Sequence, residues 1–211
     1  MTEQDIIYIL LGIYTTIGYT LTAIFFGFFI AIPIALMRMS KQFYMQVFAK
    51  SYVSIIRGTP VLLQLSFWYF AMPRIIGINF SPFTAGAIAF SINSSAYVAE
   101  IIRAGITSVD KGQAEAAQVL GITKRETFLN IILPQAIKNI SPAIVNEMIS
   151  MTKETAIIGF IGVTDITRRA QLVSAEKYNY FGPLIIAAIS YYCLAVGISI
   201  IYSFIARKYR L

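Results

Sequence analysis

At 211 residues, 57% hydrophobic and 13% charged, the chain has too little polar surface to clothe a water-soluble globule, so its solvent is expected to be lipid. It has no histidine, which removes the usual neutral-pH proton shuttle, and its single cysteine excludes an intrachain disulfide and leaves a metal site without a partner thiol. The formal charge of +7 would suit nucleic acid, but the basic residues cluster between apolar runs rather than along one stripe. Control of membrane topology is the reading that fits, and no nucleic-acid partner is expected.

The N-terminal MTEQD is acidic and lacks the basic region of a cleaved signal, so the first apolar run reads as a permanent membrane helix. Five spans are expected, at about residues 6–37, 54–78, 82–104, 126–150 and 182–206. The first exceeds a hydrocarbon core of ~30 Å at about 1.5 Å per residue, and should tilt or emerge. In the second, Pro60 is expected to disturb the helix four residues before Gln64, with Arg57 and Gly58 near the cytoplasmic boundary. The fifth contains Cys193, expected to be a small buried hydrophobe. No segment alternates as a strand does.

Charge sets the expected orientation. Arg38, Lys41, Lys50 and Arg57 follow span one, Arg103, Lys111, Lys124 and Arg125 follow span three, and Arg207, Lys208 and Arg210 form the tail. The opposite side has only Arg74, Arg168, Arg169 and Lys177. The positive-inside rule then puts the N-terminus outside and the C-terminus in the cytoplasm. Arg168 and Arg169 oppose this mildly, and Asp165 and Glu176 in the same loop are expected to pair with them locally.

The segment between spans three and four, about residues 107–125, is polar. Asp110 can cap a helix, Gln113 three residues on suggests a capping box, and Gly121 is a natural stop. The intervening alanine-rich helix has about two turns, too short to persist alone in water, so it must pack on something. Either it rests on the chain's own loops or it docks on a cytoplasmic partner.

The pattern Glu115-Ala116-Ala117, Gly121, then Ile131-Ile132-Leu133-Pro134 resembles the conserved cytoplasmic loop of binding-protein-dependent ABC importer permeases. IIRGTPVLLQL (55–65), AYVAEIIRAGITSVDKGQ (96–113) and ILPQAIKNISPAIVNEMISMTKET (132–155) are similar to the polar amino-acid, glutamine-type branch of that family. The resemblance implies an all-α, five-span permease domain over residues 1–211, of the ABC type I importer fold, in a bacterial inner membrane. It implies that Glu115, Ala116, Ala117, Leu120 and Gly121 form a coupling helix on a separate ATP-binding subunit. That subunit would hold ATP and Mg; this chain has no G-x-x-x-x-G-K-S/T phosphate loop and needs no cofactor of its own. The other implied partners are a second permease copy or paralogue, an extracytoplasmic solute-binding protein, a polar amino-acid substrate and membrane lipid.

Ionisable and amide groups inside spans are costly and point to a pathway. Gln64, Ser94, Glu100, Asn146, Glu147, Lys153, Glu154 and Thr155 are the candidates. Ser91, Ser94 and Ser95 share a face that suits helix packing more than pathway lining, and Glu100 with Arg103 reads either as a simple i,i+3 pair or as a gate. Pro142 is expected to break span four and free carbonyls for a substrate. Glu147 or Glu154, with Lys153, would meet the ammonium and carboxylate of an amino acid, unless Lys153 and Glu154 simply reach water at the outer end. The run Ala156-Ile157-Ile158-Gly159 is less polar than the family pattern. The rival readings are an intramembrane enzyme using Glu100 or Glu147, for which no paired carboxylate or nucleophile is present, and a passive channel.

Overall fold

The computed structural model describes residues 1–209, the side chain of Tyr209 excepted; Arg210 of the basic tail lies outside the described residues. Among them there is no strand. Helix α1 (Glu3–Leu10) opens with a capping box between Thr2 and Asp5 and runs through Leu11 into α2 (Gly12–Met39). Then follow α3 (Phe43–Gly58), α4 (Val61–Ser66), a π segment (Phe67–Ala71), α5 (Met72–Ile76), α6 (Pro82–Thr107) and α7 (Lys111–Val119). The second half comprises α8 (Lys124–Glu126), a π segment (Thr127–Ile132), α9 (Leu133–Glu154), a 3-10 turn (Thr155–Ile161), α10 (Ile166–Lys177) and α11 (Phe181–Tyr209).

Four stretches are long and apolar enough to cross a membrane: Glu3–Met39, Pro82–Thr107, Lys124–Ile161 and Phe181–Lys208. The expected second span is not one helix over 54–78. It is two half-length helices, α3 and the run Val61–Ile76, interrupted at Thr59 and Pro60. Their contacts follow α6 in the opposite direction. Ala49 and Val53 share a buried cluster with Ala96, Val98 and Ala99, while Leu65 packs with Ala89 and Phe90, and Trp68 approaches Phe80. The two halves therefore traverse together, and the break sits beside the middle of α6.

Pro60 begins α4 as its N-cap rather than disturbing a continuing helix. Pro142 behaves in the opposite way to expectation: α9 runs helical through it. The helix is thus interrupted at a proline in the second traverse, whereas the fourth departs from α-helix only in its terminal π and 3-10 segments, away from Pro142.

Helix α6 is the hub, packed by α2, α3, α4 and α9. Its close contacts use small residues, which is how helices approach in lipid. A Cβ on Gly27 would meet Ser94 at 3.1 Å, and one on Gly105 would lie 2.2 Å from Ile140 Cγ1. Small hydroxyls at Ser91, Ser94 and Ser95 are buried in the same interfaces.

On the far end, α10 is a helix and not the paired loop expected around Arg168 and Arg169. Buried Asp165 caps it, accepting the N–H groups of Thr167 and Arg168 and the Tyr191 hydroxyl at 2.8 Å. Burial pushes the Asp165 carboxyl up from its ordinary range, opposed by these donors. Arg169 makes no ion pair there; it donates to the Tyr8 and Thr164 carbonyls and lies over the Tyr8 ring. Glu176 pairs instead with Lys177, which also approaches Asp5. Cys193 is exposed on α11 rather than buried.

Gly12 is where α2 meets α10: a Cβ there would sit 2.4 Å from the Ile166 backbone nitrogen, which cannot swing aside. Gly18, one helix face away, has nothing within 4 Å. Gly12→Ala is expected to lower the melting temperature of the detergent-purified protein by an overpacking cost of roughly 1–3 kcal/mol. Gly18→Ala should leave it unchanged or raise it slightly; equal melting of the two variants would refute the close contact.

Candidate functional site

The break between α3 and α4 has a chemical consequence. In an uninterrupted helix the Ile56 carbonyl would receive the N–H of residue 60, but residue 60 is proline. Gln64 supplies the missing donor. Its Nε2 donates to Ile56 O at 2.8 Å, to Thr59 O at 3.1 Å and to Thr59 Oγ1 at 3.0 Å. Its Oε1 accepts from Asn93 Nδ2 at 3.3 Å, joining the break to α6. Gln64 is buried and holds the frame of the break; it is not among the residues lining the cavity beside it.

The opened backbone borders a cavity of about 310 Å³ lined by Arg57, Gly58, Thr59, Pro60, Val61, Asn93, Tyr97 and Glu154. Arg57 was expected near the cytoplasmic boundary. It lies here instead, its guanidinium carbon 5.0 Å from the centre of the Tyr97 ring. Asn93 is buried, and with Nδ2 committed to Gln64 its Oδ1 has no partner. The site therefore offers one cationic fork and one carboxylate, with the buried, unpartnered Asn93 Oδ1 in its wall. Arg57 and Asn93 were not among the sequence candidates. The pointer to them was Pro60 itself, because a broken membrane helix exposes polar backbone only where a cavity or protein covers it.

The remaining candidates separate. Glu154 lines the cavity beside the middle of α6, so it does not simply reach water at the outer end of its span. Lys153 precedes it on α9 and is exposed, as is Asn146. Glu147 is 9% exposed and accepts from Ser94 Oγ at 3.1 Å; the two form an interhelical bond between α9 and α6 rather than a wall of this cavity. Thr155 is buried with its hydroxyl turned back to Thr152 O at 2.8 Å. Glu100 pairs with Arg103 as its spacing suggested, and also with Arg38 of α2 at 3.2 Å, away from the cavity.

The second candidate region is α7. Asp110 caps it through Gly112 N at 2.7 Å, but Gln113 completes no box; its backbone N–H bonds the Asp110 carbonyl. The capping box in this segment is one helix on, between Thr123 and Glu126. Gly121 takes φ +75°, and the bonds Gly121 N to Gln118 O and Ile122 N to Ala117 O close the C-terminus. Glu115, Ala116, Leu120 and Gly121 are exposed, while Ala117 is 2% exposed and faces the chain's own interior. Val119 at 87% and Leu120 at 77% exposure put two apolar side chains outside the spans, on a helix anchored by Ala117.

Three comparisons bear on this arrangement. The family described as binding-protein-dependent transport system inner membrane component matches residues 23–211. A Rickettsia conorii protein named as a glutamine transport system permease is 53% identical over 96% of this chain and 93% of its own length. A Bacillus subtilis arginine transport system permease is 44% identical over 98% of this chain and 94% of its own. Among solved structures, an amino acid ABC transporter crystallised with histidines superposes with a TM-score of 0.88 and 45% identity, covering 95% of this chain and 94% of that one. An inward-facing methionine ABC transporter shares the fold, with a TM-score of 0.84 at 19% identity and 99% coverage of both chains.

Replacing Gln64 by leucine keeps volume but abandons the Ile56 and Thr59 carbonyls and the Asn93 amide. Gln64→Leu should cost about 1–3 kcal/mol of stability, seen as a lower melting temperature in detergent. Asn93→Ala, which leaves the break mended, should cost less; the reverse order would show that the break does not depend on Gln64.

Proposed function

The chain belongs to the binding-protein-dependent transport system inner membrane components, as a permease subunit of amino-acid ABC importers and not an enzyme, and on that premise we propose that it carries a polar amino acid of the glutamine type. The observation that supports a substrate site within this chain is the cavity at the helix break. Arg57 is placed to hold the substrate carboxylate, and Glu154 its ammonium. The unpartnered Asn93 Oδ1 is an acceptor for an amide or guanidinium N–H of the substrate side chain. A ligand lacking the side-chain donor leaves Asn93 unpaired. Lys153, Asn146 and Glu147 then act outside the immediate site, and Thr155 as a turn residue. Glutamine is supported by the names of the Rickettsia relatives; arginine, named in the Bacillus subtilis relative, satisfies the same donor and acceptor set.

Energy comes from elsewhere in this reading. A separate ATP-binding subunit, holding ATP and Mg, docks on α7 through Glu115, Ala116, Val119, Leu120 and Gly121. Ala117 anchors the helix from beneath, so that a push on α7 is transmitted to the chain. A second permease copy or paralogue completes the pore, and an extracytoplasmic binding protein delivers the substrate. The N-terminus lies outside and the C-terminus in the cytoplasm, the arrangement that the basic residues flanking α7 favour.

Two measurements test the two halves. Glu115→Lys is expected to abolish ATP-driven uptake in proteoliposomes while membrane insertion and yield stay normal, since Glu115 is exposed and outside the spans. Unimpaired uptake would remove α7 from coupling, and uptake without any ATPase would favour a passive channel. Glu154→Gln is expected to raise the half-saturating substrate concentration at least about tenfold, the loss of one charged hydrogen bond, with folding intact. Unchanged saturation would move the site away from this cavity.

A further inference from the structure

Helix α9 makes up most of the fourth membrane-length stretch, yet one of its faces is polar and exposed. Gln135, Lys138, Asn139, Asn146 and Lys153 are all exposed, with Pro142 among them. At about 100° per residue, these positions fall along a single strip of the helix. Ala136, Glu147 and Met151 lie across the helix from it and are buried. Gln135 donates to Ile131 O and Asn139 to Ser108 Oγ, each at 2.8 Å, but the side chains of Lys138, Asn146 and Lys153 make no hydrogen bond or ion pair with any described residue, and groups in that state are not left facing hydrocarbon. The strip needs water beside it.

The strip carries only one sign of charge. Lys138 and Lys153 stand at its two ends, about 22 Å apart along the axis. The acidic residues of this helix are elsewhere: Glu147 is turned to Ser94 on α6, and Glu154 to the cavity with Arg57. Lys138 forms no ion pair with any described residue. A hydrated ammonium on a flexible stem attracts a carboxylate without the fixed fork of an arginine, which suits a place of passage more than a place of rest.

We propose that this face of α9 lines the aqueous path and guides the carboxylate of the passing amino acid from Lys153, beside the cavity, to Lys138 at the other end. This deepens the permease reading and rests on it.

The test uses the complete transporter with its ATPase, reconstituted in proteoliposomes, in a Cys193→Ala background. Asn146→Cys and Lys138→Cys are expected to react with a charged, water-borne methanethiosulfonate and to lose uptake on reaction. Phe29→Cys, on the exposed apolar side of α2, should stay unreactive. If Asn146→Cys transports normally but ignores the reagent, the strip does not meet water and the proposal falls while the permease reading stands. If it reacts only after the two permease copies have been dissociated, the strip is a dry subunit interface and the proposal also falls. For the charge, Lys138→Gln should lower uptake about tenfold, the loss of one charged contact, with substrate-stimulated ATP hydrolysis held within about twofold. Lys138→Arg should restore uptake. Equal uptake by Lys138→Gln and the parent would overturn the carboxylate role, whereas a parent without ATP-driven amino-acid uptake would overturn the permease reading itself.

Discussion

A backbone carbonyl left unpaired in hydrocarbon costs several kcal/mol, and the rest of this molecule depends on how one such debt is met. Pro60 removes the donor that Ile56 requires, so α3 cannot continue as a simple helix. Gln64, one turn beyond, turns back and donates to Ile56 and Thr59. The same side chain then accepts a hydrogen bond from Asn93 Nδ2, which ties both half-helices to α6 and leaves Asn93 Oδ1 without a partner. One amide thus mends the break, fixes its register on the hub helix and leaves a buried acceptor without a partner in the cavity wall.

The helices around the break divide their polar groups by what can cover them. Where α6 meets α2, α3 and α9 the contacts are close and small, and polar atoms there are satisfied across the interface, as in Ser94 with Glu147 and Tyr52 with Ser95. Without a hydrophobic driving force between helices in lipid, such packing and bonding carry the association. Arg57, Glu154 and, on the exposed strip of α9, Lys138, Asn146 and Lys153 are not satisfied in that way. Polarity that is paired is structural here; polarity that is left open borders a cavity or a path.

Much of the arrangement was legible in the chain itself. The apolar runs and their basic flanks marked the traverses, Asp110 and Gly121 bounded α7, and the spacing of Glu100 and Arg103 announced their pairing. The errors have one cause. Pro60 and Pro142 look alike in sequence, but only the first interrupts a helix; α9 tolerates the second within tertiary contacts. Placing the break at Pro142 drew attention to Thr155 and Glu147, which are turned inward. It also left Arg57 at a boundary and Asn93 outside the candidates, because an asparagine among serines reads as helix packing until its neighbour is known. Ala117 was read as a docking surface since alanine faces are indistinguishable in a short helix; the body beneath α7 decides which side is covered.

What the sequence determined alone was therefore the solvent, the helical class, the traverses, the short exposed helix between them and the family pattern, because each follows from local composition and spacing. What only the tertiary structure decided was which polar residues are paired. That Gln64 serves the break, that Glu147 serves Ser94, and that Arg57, Asn93 and Glu154 meet at one cavity depends on helices far apart in the chain lying side by side, and burial and hydrogen bonding are properties of that juxtaposition rather than of any residue type.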